Sequence, residues 1–165
     1  MASSLPIIHT RWQHSFDGLK FSSMDFFNLV EESISKRQMT EVSFKRINLH
    51  EKGMFSSKRE YLRITRNEYA YDISAAPFGT GFFVSYRFGQ KLGFWKLFLF
   101  SFPLLGRWYA KSLRNKTYFE LDTENMFNGS VHSAFMEAID TISNTKGVRG
   151  LTELEKIPIE LRKLK

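Results

Sequence analysis

Tyr61-Leu62-Arg63-Ile64-Thr65-Arg66-Asn67-Glu68-Tyr69-Ala70-Tyr71-Asp72-Ile73 is the stretch whose reading decides the fold. Leu62 and Ile64 alternate with polar neighbours at period two, as in a half-buried strand. Asn67 supplies a turn residue, and Tyr69 to Ile73 is the return strand. Ala75-Ala76-Pro77-Phe78-Gly79-Thr80-Gly81 is rich in turn formers and is expected to break that strand. Phe82-Phe83-Val84-Ser85-Tyr86-Arg87-Phe88 then forms the third strand of a meander. Its apolar start on both faces suits a central strand or a covered edge.

Toward the N-terminus, His50 to Ser57 carries Gly53 and two serines and reads as a loop. Residues 41–50 predict a further strand. Val42 and Phe44 alternate, as do Ile47 and Leu49, but the two pairs are out of phase. Either a bulge lies near Lys45-Arg46 or the strand changes face there. The spacing of Phe27, Val30 and Ile34 predicts a helix over about 23–37, with Ser22 and Asp25 resembling a capping box. Residues 1–21 read as a mostly irregular arm, pinned by Leu5, Ile7, Ile8, Trp12 and Phe16.

Toward the C-terminus, Ile73 to Phe119 contains no Asp or Glu and seven basic residues. Within it, residues 92–113 form an apolar segment interrupted by Gly93, Pro103 and Gly106, so a kink or loop is expected near Pro103. Thr117 to Leu121 suggests a short strand. Phe127, Val131, Ala134, Phe135, Ala138, Ile139 and Ile142 make a helical stripe, with Asp122 or Thr123 as cap and Gly147 at its end. Residues 148–165 are a charged tail with a short helix at most.

These elements predict an α+β fold. An antiparallel sheet of three to four strands is covered by an N-terminal and a C-terminal helix, and a kinked apolar segment is inserted between them. The expected organisation is an arm (1–21), a single domain (22–147, including the insertion 92–113) and the tail (148–165). The chain has 165 residues, enough to bury a core without staples, and no cysteine, so neither disulfides nor thiolate metal sites arise. A formal charge of +7 favours anionic partners.

The inserted segment carries the functional expectation. Ten uncharged residues separate Lys96 from Arg107. As a helix they reach about 15 Å, at roughly 1.5 Å per residue, against a hydrocarbon core of about 30 Å. A straight crossing would drag a cation into hydrocarbon. A segment that dips in and returns, or lies flat, avoids this. Phe94, Trp95, Phe98, Leu99, Phe100, Phe102, Leu104, Leu105 and Trp108 would meet acyl chains or an interface. Arg87, Lys91, Lys96, Arg107, Lys111 and Arg114 would meet anionic headgroups. The expected partner is an anionic membrane surface, reached from the cytoplasmic side, or another protein. Two alternatives stay open. The segment could be buried in a homo-oligomer. Or Tyr61, Arg63, Lys45 and Arg46 could form a sheet face for single-stranded nucleic acid.

Catalytic signals are thin. His9, His14, His50 and His132 lack partner ligands at metal spacing, and no P-loop or nucleophile elbow is present. Asp72 suits a salt bridge to an arginine better than a catalytic base. The expectation is a protein without enzymatic activity, cofactor or metal. Finally, Phe16-Asp17-Gly18-Leu19, Ala75 to Phe83, Asp122 through Met126-Phe127 to Val131-His132, and Lys146-Gly147 with Leu151 and Glu153 resemble a group of small uncharacterised bacterial proteins. The resemblance covers most of the chain. It implies a bacterial origin and a compact single unit, and brings no activity or site residues with it.

Overall fold

The computed structural model describes residues 7–50, 58–91 and 117–160. It has an α+β fold built on one antiparallel sheet. The elements in order are β1 (Ile7–Phe16), α1 (Ser23–Ser35), β2 (Val42–His50), β3 (Lys58–Arg66), β4 (Tyr69–Phe78), β5 (Gly81–Gln90), α2 (Tyr118–Lys146), α3 (Glu153–Lys156) and β6 (Ile159–Glu160). Six strands lie in the order β2-β3-β4-β5-β1-β6. This corrects the expected three to four strands. The expected helix arrangement also needs adjusting: α1 follows the first strand of the sheet, and α2 precedes the last.

The largest correction is β1. Residues read as an irregular arm form an internal strand, pairing with β5 from Ile7↔Gln90 to Phe16↔Phe82. Trp12 and Phe16 face the helices and are buried, while Arg11, Gln13 and Ser15 point outward. Two features hid the alternation. His14 occupies an inward position, and a register shift between Ile8 and Thr10 breaks the period.

The meander is continuous where a break was expected. β4 runs through Ala75 and Pro77 to Phe78, and the turn is Gly79-Thr80 alone. Pro77 is tolerated because β3 stops pairing at Leu62↔Ile73, leaving β4 with one neighbour there. β2 pairs with β3 in unbroken register from Val42↔Arg66 to His50↔Lys58, so no bulge is present. It is the apolar side of β2 that changes face. Arg46 takes the helix-facing position after Phe44, and Ile47 is buried on the other face.

Both long helices lie on one side of the sheet. Phe26, Phe27, Val30 and Ile34 of α1 and Phe127, Val131, Phe135 and Ile139 of α2 close over Trp12, Leu62, Ile64, Tyr71, Ile73, Phe82, Val84, Tyr86 and Phe88. Phe135 stands edge-on to Trp12, Phe26 and Tyr86, at centroid distances of 5.4, 5.6 and 5.1 Å. α2 begins where a strand was expected. Thr117 and Glu120 form a capping box: the Thr117 hydroxyl accepts from the Glu120 amide at 3.2 Å, and the Glu120 carboxylate accepts from the Thr117 amide at 2.8 Å. The T-x-x-E spacing carried that start, in place of the expected cap at Asp122 or Thr123. Gly147, at φ 65°, ends the helix in the left-handed region.

Gly89 lets β1 approach β5. A Cβ there would collide with the carbonyl of Ile7. Gly89→Ala is expected to force the strands apart and cost about 1–3 kcal/mol, as overpacking does. Urea unfolding should show a lower midpoint with an unchanged slope.

The tail docks on β1. The Trp12 indole N–H donates to the Glu155 carbonyl at 2.6 Å, and β6 pairs with Thr10 and Arg11. The Glu155 carboxylate is held well below its ordinary 4.5, at about 2, first by the Thr152 amide and then by Arg149. A folded-state pKa below the unfolded one gives stability that is full above the ordinary carboxylate range. That stability drains as pH falls through about 2. Acid titration should therefore shift the Trp12 indole N–H resonance in this window. A Glu155→Gln variant should show a weaker, pH-independent docking.

Candidate anion-binding sheet face

Strand register collects side chains that the sequence scatters. On the face away from α1 and α2, one lateral row runs across five strands: Lys45↔Arg63, Arg63↔Asp72, Asp72↔Arg87 and Arg87↔Arg11. At roughly 4.8 Å between strands, the row spans about 19 Å. It holds four cations and one carboxylate. Among the described strand residues on this face, Asp72 is the one acid, set against Arg11, Lys45, Arg59, Arg63 and Arg87.

Asp72 and Arg63 are locked together. The Arg63 Nε donates to Asp72 Oδ1 at 2.6 Å and an Arg63 terminal nitrogen donates to Oδ2 at 2.7 Å. This bidentate fork is the strong geometry for a carboxylate, and it accounts for Asp72 as an ion-pair partner. The rest of the row is not neutralised in this way. Arg11, Arg87 and Lys45 are exposed, and among the described residues none forms an ion pair. Arg87 and Arg11 stand directly opposite each other, a pairing that destabilises a sheet. Lys91 lies at the margin, where burial and then the Arg63 charge lower its pKa. Tyr61, half-buried, sits on the same face beside Ile47, and Ser43 and Thr65 share a 2.7 Å hydrogen bond there.

Of the residues expected to bind anions, Arg87, Lys91, Lys45, Arg63 and Tyr61 are thus brought to one face. Arg46 is not. It points to the helix layer, 2.9 Å from Glu31 and 3.0 Å from Asn28, with its guanidinium 4.8 Å above the Phe27 ring. Phe94, Trp95, Lys96, Phe98, Leu99, Phe100, Phe102, Leu104, Leu105, Arg107, Trp108, Lys111 and Arg114 lie outside the described residues. Sequence reasoning missed Arg11. The alternation Arg11-Trp12-Gln13 was the available signal, and the reading of an arm concealed it.

On the helix side of the sheet a line of polar groups runs along α2. Glu124, Asn128 and His132 follow one another at four-residue spacing on α2. Glu124 is 2.5 Å from the buried His9, Asn128 accepts from the Tyr71 hydroxyl, and His132 Nδ1 is 2.9 Å from the Tyr86 hydroxyl. Burial raises the hydroxyl pKa values of Tyr71 and Tyr86 and lowers that of His132, so all three stay neutral near pH 7. These bonds satisfy buried polar groups and fix the helix register against the sheet. A cleft of about 310 Å³ near the end of β1 is lined by His14, Ser15, Phe16, Asp17, Val148 and Arg149. Its cation, Arg149, is already held 2.5 Å from Glu155. Among the described residues, no group of His, Asp and Glu could hold a metal ion, and no helix is long and apolar enough to cross a membrane.

No family model matches the chain, and no curated protein or solved structure matches it.

Proposed function

We propose that the protein is a non-enzymatic binding or scaffold protein attached to an anionic membrane surface, on its cytoplasmic side, through the Phe/Leu/Trp sequence of residues 92–113. The observation that carries this reading is the basic and aromatic end of the body, at which β5 stops and α2 starts. β5 ends at Gln90, which pairs with Tyr69. Tyr69 in turn lies close to the start of α2. Its hydroxyl pKa is pushed up to about 12, first by burial and then by the charge of Glu124, with smaller contributions from Glu68 and Glu120. The end of β5 and the start of α2 therefore lie at one end of the body. That end is rimmed by Lys91 on one side and by the exposed rings of Tyr118 and Phe119, 88% and 80% accessible, on the other. Aromatic and basic residues together suit the membrane–water interface.

Flotation with lipid vesicles tests the reading. The full chain should rise with vesicles containing phosphatidylserine. A protein that stays at the bottom of the gradient and elutes as a discrete soluble oligomer would instead support burial of the segment between subunits.

A second reading has its own observation. Tyr61 shares a face with Lys45, Arg63, Arg87 and Arg11, and an aromatic ring among cations is how a sheet receives single-stranded nucleic acid. Retention on such a strand, falling steeply with salt, would favour it.

A further inference from the structure

β1 is ten residues long, and β6 covers two of them. Thr10 and Arg11 pair with Glu160 and Ile159, and the tail then leaves the strand through Pro158 and α3. Among the described residues, no strand lies along the β6 side of β1 from Trp12 to Phe16. The Phe16 carbonyl is turned toward β5, where a Cβ added at Gly81 would meet it. Backbone direction alternates along a strand, so Gln13 and Ser15 turn their N–H and C=O groups the opposite way. Both residues are exposed. Such an edge is a template for another strand, and β6 shows that β1 accepts one on this side.

The cleft of about 310 Å³ opens along the same stretch. His14, Ser15 and Phe16 line it from the strand, Val148 and Arg149 from beyond α2, and Asp17 past the strand end. His14 is held between Trp12 and Phe16, at centroid distances of 6.0 and 4.7 Å. Arg149 gives one terminal nitrogen to Glu155, and 67% of its side chain stays accessible. A residue added beside His14 places its side chain on the same face as His14, in the cleft with Arg149.

We propose that the β1 edge and this cleft form a docking site for an extended peptide of another protein, paired through Gln13 and Ser15 and carrying an acidic side chain opposite His14 for Arg149. In strand addition the main-chain bonds supply affinity and the side chain in the pocket supplies selectivity. A second copy docked edge to edge fits less well, because Ile7–Phe16 contains no acid to offer Arg149. The site goes beyond membrane attachment and does not depend on it. Flotation can fail while the edge still takes the peptide, and the reverse.

The test titrates the isotope-labelled full chain with a blocked pentapeptide, valine-threonine-glutamate-threonine-valine, and with the same peptide carrying lysine at its centre. The glutamate peptide should shift the Gln13 and Ser15 amide resonances and slow their hydrogen exchange. It should bind about fivefold tighter than the lysine peptide, the most that an exposed ion pair supplies. Arg149→Gln should erase that preference. Ser15→Pro should abolish binding of both peptides, and proline is tolerated on an edge whose N–H faces solvent. Should that variant melt early, the glutamate peptide methylated at its two threonine nitrogens replaces it, and wild-type protein should not bind it.

Absence of any shift at millimolar peptide overturns the proposal. Equal binding of the two peptides overturns the acidic partner. Shifts at Gln13 and Ser15 that appear on concentrating the protein alone assign the edge to a second copy, against the proposal.

Discussion

Phe98→Asp with Phe102→Asp converts a vesicle-bound protein into a folded protein that stays in solution. The expectation comes from the uncharged decapeptide between Lys96 and Arg107, too short to cross a bilayer and too apolar to lie in water. Burying each phenylalanine contributes about 1.5–3 kcal/mol. Each carboxylate placed at that depth costs up to about 2.5–3.5 kcal/mol more. Together the changes should weaken partition by more than about a thousandfold. On the membrane reading stability should survive, since neither phenylalanine then belongs to the core that α1 and α2 close over the sheet. Flotation read beside a thermal melt decides the matter. A variant that leaves the vesicles and keeps its melting temperature supports a lipid-facing segment. One that unfolds places Phe98 and Phe102 inside the protein or an oligomer, and the membrane reading ends there.

Asp72→Ala is expected to cost about 3–5 kcal/mol, the loss typical of breaking a buried pair from one side. Only 4% of the Asp72 side chain and 13% of Arg63 are accessible, so water cannot take over the missing partner. Arg63 would be left in a row with Arg87 and Lys45 and close to Lys91, all of one sign. Typical domains are stable by about 5–15 kcal/mol, so a large share of the whole is at stake. Replacing both partners, Arg63→Met with Asp72→Leu, should recover much of the loss, since neither charge then remains buried alone. Urea midpoints of the two variants measure the difference. An Asp72→Ala midpoint equal to wild type would mean that the fork contributes nothing net.

How much of this was legible in the sequence depends on the range of the interaction. β3 and β4 were readable because Leu62, Ile64 and the Asn67 turn are local. So was α1, whose Ser22 hydroxyl accepts from the Asp25 amide at 3.4 Å. β1 was not, since its inward His14 and the irregularity before Thr10 imitate a loop. The start of α2 was misjudged because Tyr118 and Phe119 look like strand residues, although both rings are exposed and the capping box sets the conformation. Arg46 was placed with Lys45 on charge alone; an unbroken ladder puts neighbours on opposite faces. The cationic row was beyond reach for a different reason. Arg11 and Arg87 become neighbours only through the pairing of β1 with β5, and no local pattern announces a partner that far along the chain.

The position of β1 between β5 and β6 also dictates an order of events during synthesis. β1 can complete its pairing with β5 only after residue 90 has been made. Until then Trp12 and Phe16 have no strand beside them, and the apolar side of the sheet awaits the still later α2. Long-range pairing of this kind slows folding and prolongs the exposure of sticky surface. The nascent chain is thus most vulnerable to aggregation, and most in need of a chaperone, while its second half is still being translated.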